Sequence, residues 1–276
     1  MRTILFPTDF SDNSKNAFVF ALHLAEKLEA EILLFHTYQH AIVDEAFVPV
    51  ELIEALLHQK QSEAMKHFEA YEQQVQKELG KQVPVKHQLM EAAAAPGILE
   101  IAENVQPDMI VMGTLGAKTL AEKIMGSVTS EIISQASCPV LAVPEHATYH
   151  DFHRIAYVID FQKEEFSAVQ RLFNFAAMFR AAIDCIHLET EENHWEKLNS
   201  EFYRKMLEME ASHAHIQLFT LRGKEVINCL NDFVQAHQND LICLHTQRQE
   251  PFSSLYGSGL TRVMSIFSHI PLLAFK

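Results

Sequence analysis

Glycine is scarce in this chain, at eight of 276 residues, and so are cysteine, at four, and tryptophan, at one. Cys138, Cys185, Cys229 and Cys243 show no paired spacing and all lie in apolar segments. That excludes a disulfide framework and points to buried free thiols in a reducing compartment. Positive charge is also short: 22 Lys and Arg face 36 Asp and Glu, for a formal net charge of −14. Such a balance argues against a nucleic-acid backbone or an anionic membrane as partner. It does not exclude a nucleotide, because a few local amides can outweigh a distant negative field. No apolar run reaches the ~20 residues of a membrane span. The opening Met1-Arg2-Thr3-Ile4-Leu5-Phe6-Pro7 runs straight into a strand-like stretch, so no signal peptide and a cytoplasmic location are expected. Neither a Gly-Lys-Ser/Thr phosphate loop nor a Gly-x-Ser-x-Gly elbow occurs.

What is present is an apolar fraction of 48% with 21% charged residues, the composition of a globular protein long enough for one large domain or two smaller ones. Three of the few glycines fall in one pattern: Gly113-Thr114-Leu115-Gly116, then a nine-residue connection, then Gly126-Ser127-Val128-Thr129. The preceding Met109-Ile110-Val111-Met112 reads as a short buried strand. Gly113 and Gly116 let backbone come close to a ligand with no Cβ in the way. Gly126 to Thr129 open a helix, where free N–H groups and the positive dipole end favour phosphate oxygens. Ser127 and Thr129 can add hydroxyl hydrogen bonds; the alternative is that Ser127 is only an N-cap.

The chain is written twice. Residues 2–37 can be laid on residues 153–188 without a gap: Ile4-Leu5-Phe6 falls on Ile155-Ala156-Tyr157, Asp9-Phe10 on Asp160-Phe161, and His36 on His187. In a second register Asp108 falls on Asp240, Thr129 on Thr261, Pro139 on Pro271 and Leu141-Ala142 on Leu273-Ala274. The second copy is shorter in its middle. Two domains, 1–146 and 151–276, are expected, with the boundary in a polar, His-containing stretch. Each copy alternates short β-rich runs with longer helical patterns, the mark of βαβ units and a parallel, doubly wound α/β sheet. Strands are expected at residues 3–6, 31–37, 83–89, 109–113 and 139–143, then 155–159, 183–188, 215–220, 241–245 and 271–275. Helices are expected at residues 13–29, with Ser11 as N-cap, and at 50–79, 96–105 and 127–135.

On these residues the chain resembles the universal stress protein family, as a tandem two-domain member. The resemblance covers both halves. It rests on Phe6-Pro7-Thr8-Asp9-Phe10-Ser11, on Leu34-Phe35-His36-Thr37, and on the Gly113/Gly116/Gly126-Ser127 pattern, which matches the family's ATP-binding signature. It implies two five-stranded parallel sheets of order 3-2-1-4-5 and ATP, with or without Mg²⁺, across the C-terminal strand edge of the first. It also implies a site of Pro7 and Thr8 on the adenine wall, Asp9 near the ribose, Thr37 at the adenine edge, Met112, Gly113 and Gly116 close to the ligand, and Gly126, Ser127, Val128 and Thr129 toward the phosphates. Asp9 has a simpler alternative, an acidic residue stabilised by a helix N-terminus. Family members dimerise through the last strand, so the resemblance implies an intramolecular pseudo-dimer here and leaves a further homodimer open.

The second copy departs where it matters: Gly113 and Gly116 become His245 and Arg248, and Pro7-Thr8 becomes Val158-Ile159. It is expected to serve as a pairing partner without ATP. With no evident general base or arginine finger, fast phosphoryl transfer is not expected; a slow hydrolase and a partner-binding protein without nucleotide are the alternatives. His146, His150 and His153 read as a surface cluster and no metal site is expected, since no further ligands stand at matching spacing.

Overall fold

The computed structural model describes residues 2–39, 50–114, 127–159, 165–189, 215–222, 226–246 and 269–275. The first half runs β1 (Arg2–Pro7), α1 (Asp12–Leu28), β2 (Ala30–Tyr38), α2 (Val50–Leu79), β3 (Val85–Glu91), α3 (Ala94–Val105), β4 (Met109–Gly113), α4 (Ser127–Gln135) and β5 (Val140–Val143). The second half runs β6 (Arg154–Ile159), α5 (Glu165–Phe179), β7 (Ala182–Glu189), β8 (Ile216–Arg222), α6 (Val226–His237), β9 (Leu241–His245) and β10 (Leu272–Phe275). All ten strands form one sheet of order β3-β2-β1-β4-β5-β10-β9-β6-β7-β8. Each half therefore has the internal order 3-2-1-4-5, parallel throughout, and the halves meet at β5 and β10. There Leu272, Leu273 and Ala274 pair antiparallel with Ala142, Leu141 and Val140. Two apolar edges that would otherwise attract foreign strands cover each other.

Alternation along the strands builds two cores, one on each face of the sheet. Ile4, Phe6, Ile32, Leu34 and Val111 pack with Phe18 and Leu24 of α1 and Phe68 of α2, and this core continues through Leu141 and Leu273 into Tyr157 and Phe175. Leu5, Phe35, Ile110 and Met112 pack on the other face with Ile98 of α3 and Ile132 of α4, and continue through Ala142 and Leu272 into Val158 and Phe233. The two halves thus share both cores.

Boundaries moved for local reasons. The third strand begins at Val85 rather than at residue 83, because Val83 N donates to Gln76 Oε1 at 2.9 Å and Pro84 has no N–H to give. The third helix begins two residues ahead of Pro96. Its proline occupies the first turn, where the missing donor would have had no helical acceptor, and the first helical bond runs from Gly97 N to Ala93 O at 3.0 Å. Ser11 caps α1 as expected, accepting from Ser14 N. In this glycine-poor chain, α2 ends on Gly80, but four helices end on non-glycine residues in the left-handed region: Glu29 and Arg180 after α1 and α5, Gln106 and Gln238 after α3 and α6. These four are two matched pairs in the alignment of the halves. No described helix is long and apolar enough to cross a membrane.

Candidate functional site

β1 and β4 are neighbours whose helices leave on opposite faces, so a crevice opens beyond their C-terminal ends. A cavity of about 300 Å³ lies there, at the low end of the size range for small-molecule sites. Four separate segments bring the expected residues to it. Pro7, Thr8 and Asp9 come from the end of β1, Thr37 from β2, Met112 and Gly113 from β4, and Ser127, Val128 and Thr129 from the first turn of α4. Nine of the eleven residues singled out in the sequence therefore line one cleft. The other two, Gly116 and Gly126, lie outside the described residues.

Local hydrogen bonds explain how the wall is held. Thr8 N donates to Phe35 O at 2.9 Å. His36 Nδ1 donates to Thr8 O at 2.7 Å, and Phe10 N donates to Thr8 Oγ1 at 2.9 Å. Thr8 Oγ1 also shares a 2.7 Å hydrogen bond with Ser14 Oγ, which in turn meets Tyr71 OH at 3.1 Å. Every polar group of Thr8 is thereby committed to the protein, and Thr8 acts as a wall residue rather than a donor to a ligand. Burial pushes the Tyr71 hydroxyl far above its usual range, so it remains protonated and available as a donor at the end of this chain. Phe10 takes a left-handed backbone at φ 60°, a conformation costing roughly 1–2 kcal/mol for a side chain of this kind. Its ring is held against His36, Phe68 and Tyr71, with centroids 4.8, 5.3 and 5.7 Å away.

Asp9 is exposed, and its Oδ1 accepts from Ser11 N at 3.0 Å and Ser11 Oγ at 2.6 Å. It therefore steadies the N-cap of α1 through Ser11, while Oδ2 remains available to a ligand. Thr129 Oγ1 donates to Gly113 O at 3.2 Å, tying α4 to β4. Its hydroxyl is used there; what the turn offers a ligand is its backbone amides and the exposed Ser127. A Cβ on Gly113 would lie 3.2 Å from Asn13 Cγ, Nδ2 and O. The bare α-carbon thus lets the start of α1 approach β4, a role that ligand proximity alone did not suggest.

Asn13 is a member of the site that the sequence did not reveal. Its Oδ1 is buried and has no hydrogen-bond partner among the described residues, and the residue lines the cleft. Ser11, Ser14, Phe35, Ala94, Ile98 and Thr114 also line it. Phe35, Ala94, Ile98, Met112 and Val128 give one side an apolar surface, while Asp9, Ser11 and Asn13 make the rim polar.

The sequence profile of the universal stress protein family matches residues 1–144. The chain belongs to the universal stress protein family. The universal stress protein MJ0531 of Methanocaldococcus jannaschii is 35% identical over 149 residues, 51% of this chain and 81% of that one. The universal stress protein YxiE of Bacillus subtilis is 29% identical over 148 residues, 51% of this chain and 97% of that one. Both are matched by about half of this chain. A universal stress protein structure from Archaeoglobus fulgidus superposes with a TM-score of 0.69 over 99% of this chain and 96% of its own, at 16% identity. That likeness establishes the fold over the full length.

The second half of this universal stress protein differs from the first at the end of its first strand. Ile159, which replaces Thr8, is buried in the core at 1% exposure, and Val158 replaces Pro7. Asp160, Arg248, Gly257, Gly259 and Arg262 lie outside the described residues.

Proposed function

We propose that this protein is a cytoplasmic stress-response protein that binds an adenine nucleotide, ATP in the first instance, in the cleft of domain 1–146. Domain 151–276 serves as its covalently attached pseudo-dimer partner. The reading is carried by one observation: Pro7-Thr8-Asp9, Thr37, Met112-Gly113 and Ser127-Val128-Thr129, four segments far apart in the chain, line a single cleft where strand order reverses. Its chemistry is divided in the way a nucleotide requires. The apolar side formed by Phe35, Ile98, Met112 and Val128 suits a purine face. The free Oδ2 of Asp9 suits ribose hydroxyls. Ser127, Val128 and Thr129 occupy the first three positions of α4, so their N–H groups have no helical acceptor and are suited to phosphate oxygens. Asn13 Oδ1, buried and unpartnered among the described residues, would gain a donor from an amine or hydroxyl of the ligand.

Among the described residues, Asp9 is the single carboxylate in the lining. A Mg²⁺ ion accompanying ATP would therefore be held chiefly by phosphate oxygens and water. The described lining has no arginine or lysine to stabilise a transferring phosphoryl group, so it is better suited to binding than to rapid turnover. Mass spectrometry of small molecules released by denaturing the purified protein tests the proposal. An adenine nucleotide near one equivalent per chain is expected. Release of no nucleotide from wild type, together with undiminished ATP affinity in Gly126→Val, would sink it.

A further inference from the structure

We infer that His150, His153 and Asp240 form a site for one divalent transition-metal ion of the zinc type, fastening the connection between the halves to the start of β9. The three side chains each offer one ligating atom within 4.8 Å of the other two. His153 Nδ1 stands 3.5 Å from Asp240 Oδ2, and His150 Nδ1 stands 3.9 Å from the same oxygen. Donors about 2.0–2.1 Å from a tetrahedral ion are separated by roughly 3.4 Å, so small rotations of two exposed imidazoles complete the geometry.

The anchor is already fixed. Asp240 Oδ2 accepts from His153 N at 2.7 Å and Oδ1 from Arg154 N at 3.2 Å. Its side chain is 10% exposed, and the two histidines are its only ion-pair partners among the described residues. A carboxylate so little exposed calls for a full counter-charge beside it. A cation bound by all three supplies it. Two imidazoles with one carboxylate and open positions is also a donor set suited to divalent transition ions.

The flanking chain orients the ligands. His150 Nδ1 donates to the Asp151 carbonyl at 3.1 Å, a hydrogen bond that holds the ring beside Asp240 and is exchanged for the ion when Nδ1 ligates. Asp151 is itself held to α1 by Lys27 at 2.7 Å and accepts from Tyr149 OH at 3.1 Å. Asn16 Nδ2, also on α1, donates to the carbonyls of Pro144 and Ala147 at 3.0 and 2.8 Å. An ion here would join a connection carried by the first half to an edge of the second. The cluster reads as incomplete along the sequence because Asp240 lies 87 residues beyond His153.

The test is calorimetric titration of ZnCl₂ into the full chain after chelator treatment. One equivalent is expected, weakened at least about tenfold by His150→Ala and by His153→Ala, and lost in the double variant. His215→Ala, at an exposed histidine elsewhere, should leave it unchanged. Cobalt(II) should give d–d absorption in wild type that the double variant lacks. Absence of binding at micromolar protein, or equal affinity in wild type and double variant, overturns the inference.

Discussion

Gly97→Ala should destabilise this protein, although the same exchange in an unconstrained helix stabilises by about 1 kcal/mol. Gly97 lies in the first turns of α3, where its Cβ would meet Thr37 Cγ2 at 2.7 Å, Ala92 Cβ at 3.0 Å and Met90 Sδ at 3.5 Å. Two of these are closer than ordinary van der Waals contact, so α3 must move outward or Thr37 must leave its rotamer. Overpacking of this kind costs about 1–3 kcal/mol, and subtracting the helix-propensity gain leaves a net loss of about 1 kcal/mol. Thr37 and Ile98 both line the cleft, so ATP affinity should fall in parallel. Urea unfolding of wild type, Gly97→Ala, Thr37→Ser and the double variant gives the measurement. Thr37→Ser deletes the methyl group that is struck, so the double variant should recover most of the loss, with a coupling energy near about 1 kcal/mol. If Gly97→Ala is more stable than wild type by ~1 kcal/mol, helix propensity has won and the packing argument is wrong.

Thr8→Val removes the acceptor of Phe10 N and breaks the Thr8–Ser14–Tyr71 chain; a loss of about 1–3 kcal/mol in urea unfolding is expected, and a loss below ~0.5 kcal/mol would show that the chain is not stabilising. Leu273→Ala, at a fully buried position paired with Leu141 across the junction of the halves, should cost about 2–5 kcal/mol, and a variant of wild-type stability would argue against a shared core. Burial, aided by nearby Lys81, lowers the pKa of His23, whose ring stacks on Tyr149 at 3.8 Å. Its depressed folded value means a stability contribution complete above the usual pKa near about 6.5 and lost as pH falls through the lowered value. His23→Phe should therefore flatten the acid limb of the stability profile; an unchanged limb would remove His23 as its cause.

Much of this was legible in the sequence because it rests on local pattern. The β-rich runs and their helical spacers carried the doubly wound order, and the internal repeat carried the matched halves that meet at β5 and β10. The cleft was legible through Pro7-Thr8-Asp9 and Gly113, residue types whose chemistry is tied to strand ends. What stayed hidden depends on approach between distant segments. Asn13 looked like one more polar residue at a helix start, and only its proximity to Gly113 places it in the cleft. Gly97 sat outside the glycine pattern, and its reason, the methyl of Thr37, belongs to another element. Thr129 looked like a ligand donor, yet its hydroxyl is taken by the Gly113 carbonyl. The left-handed caps at Glu29, Gln106, Arg180 and Gln238 could not be read from residue type, since none is glycine.

The central claim is that the first half alone holds an adenine nucleotide. Equilibrium dialysis of the nucleotide-stripped full chain against labelled ATP measures it directly. The account predicts saturation at one ATP per chain, with affinity reduced at least about tenfold in Asp9→Ala, the loss of a charged hydrogen-bonding partner. Two sites per chain, or binding indifferent to Asp9, or none at millimolar ATP, would contradict it.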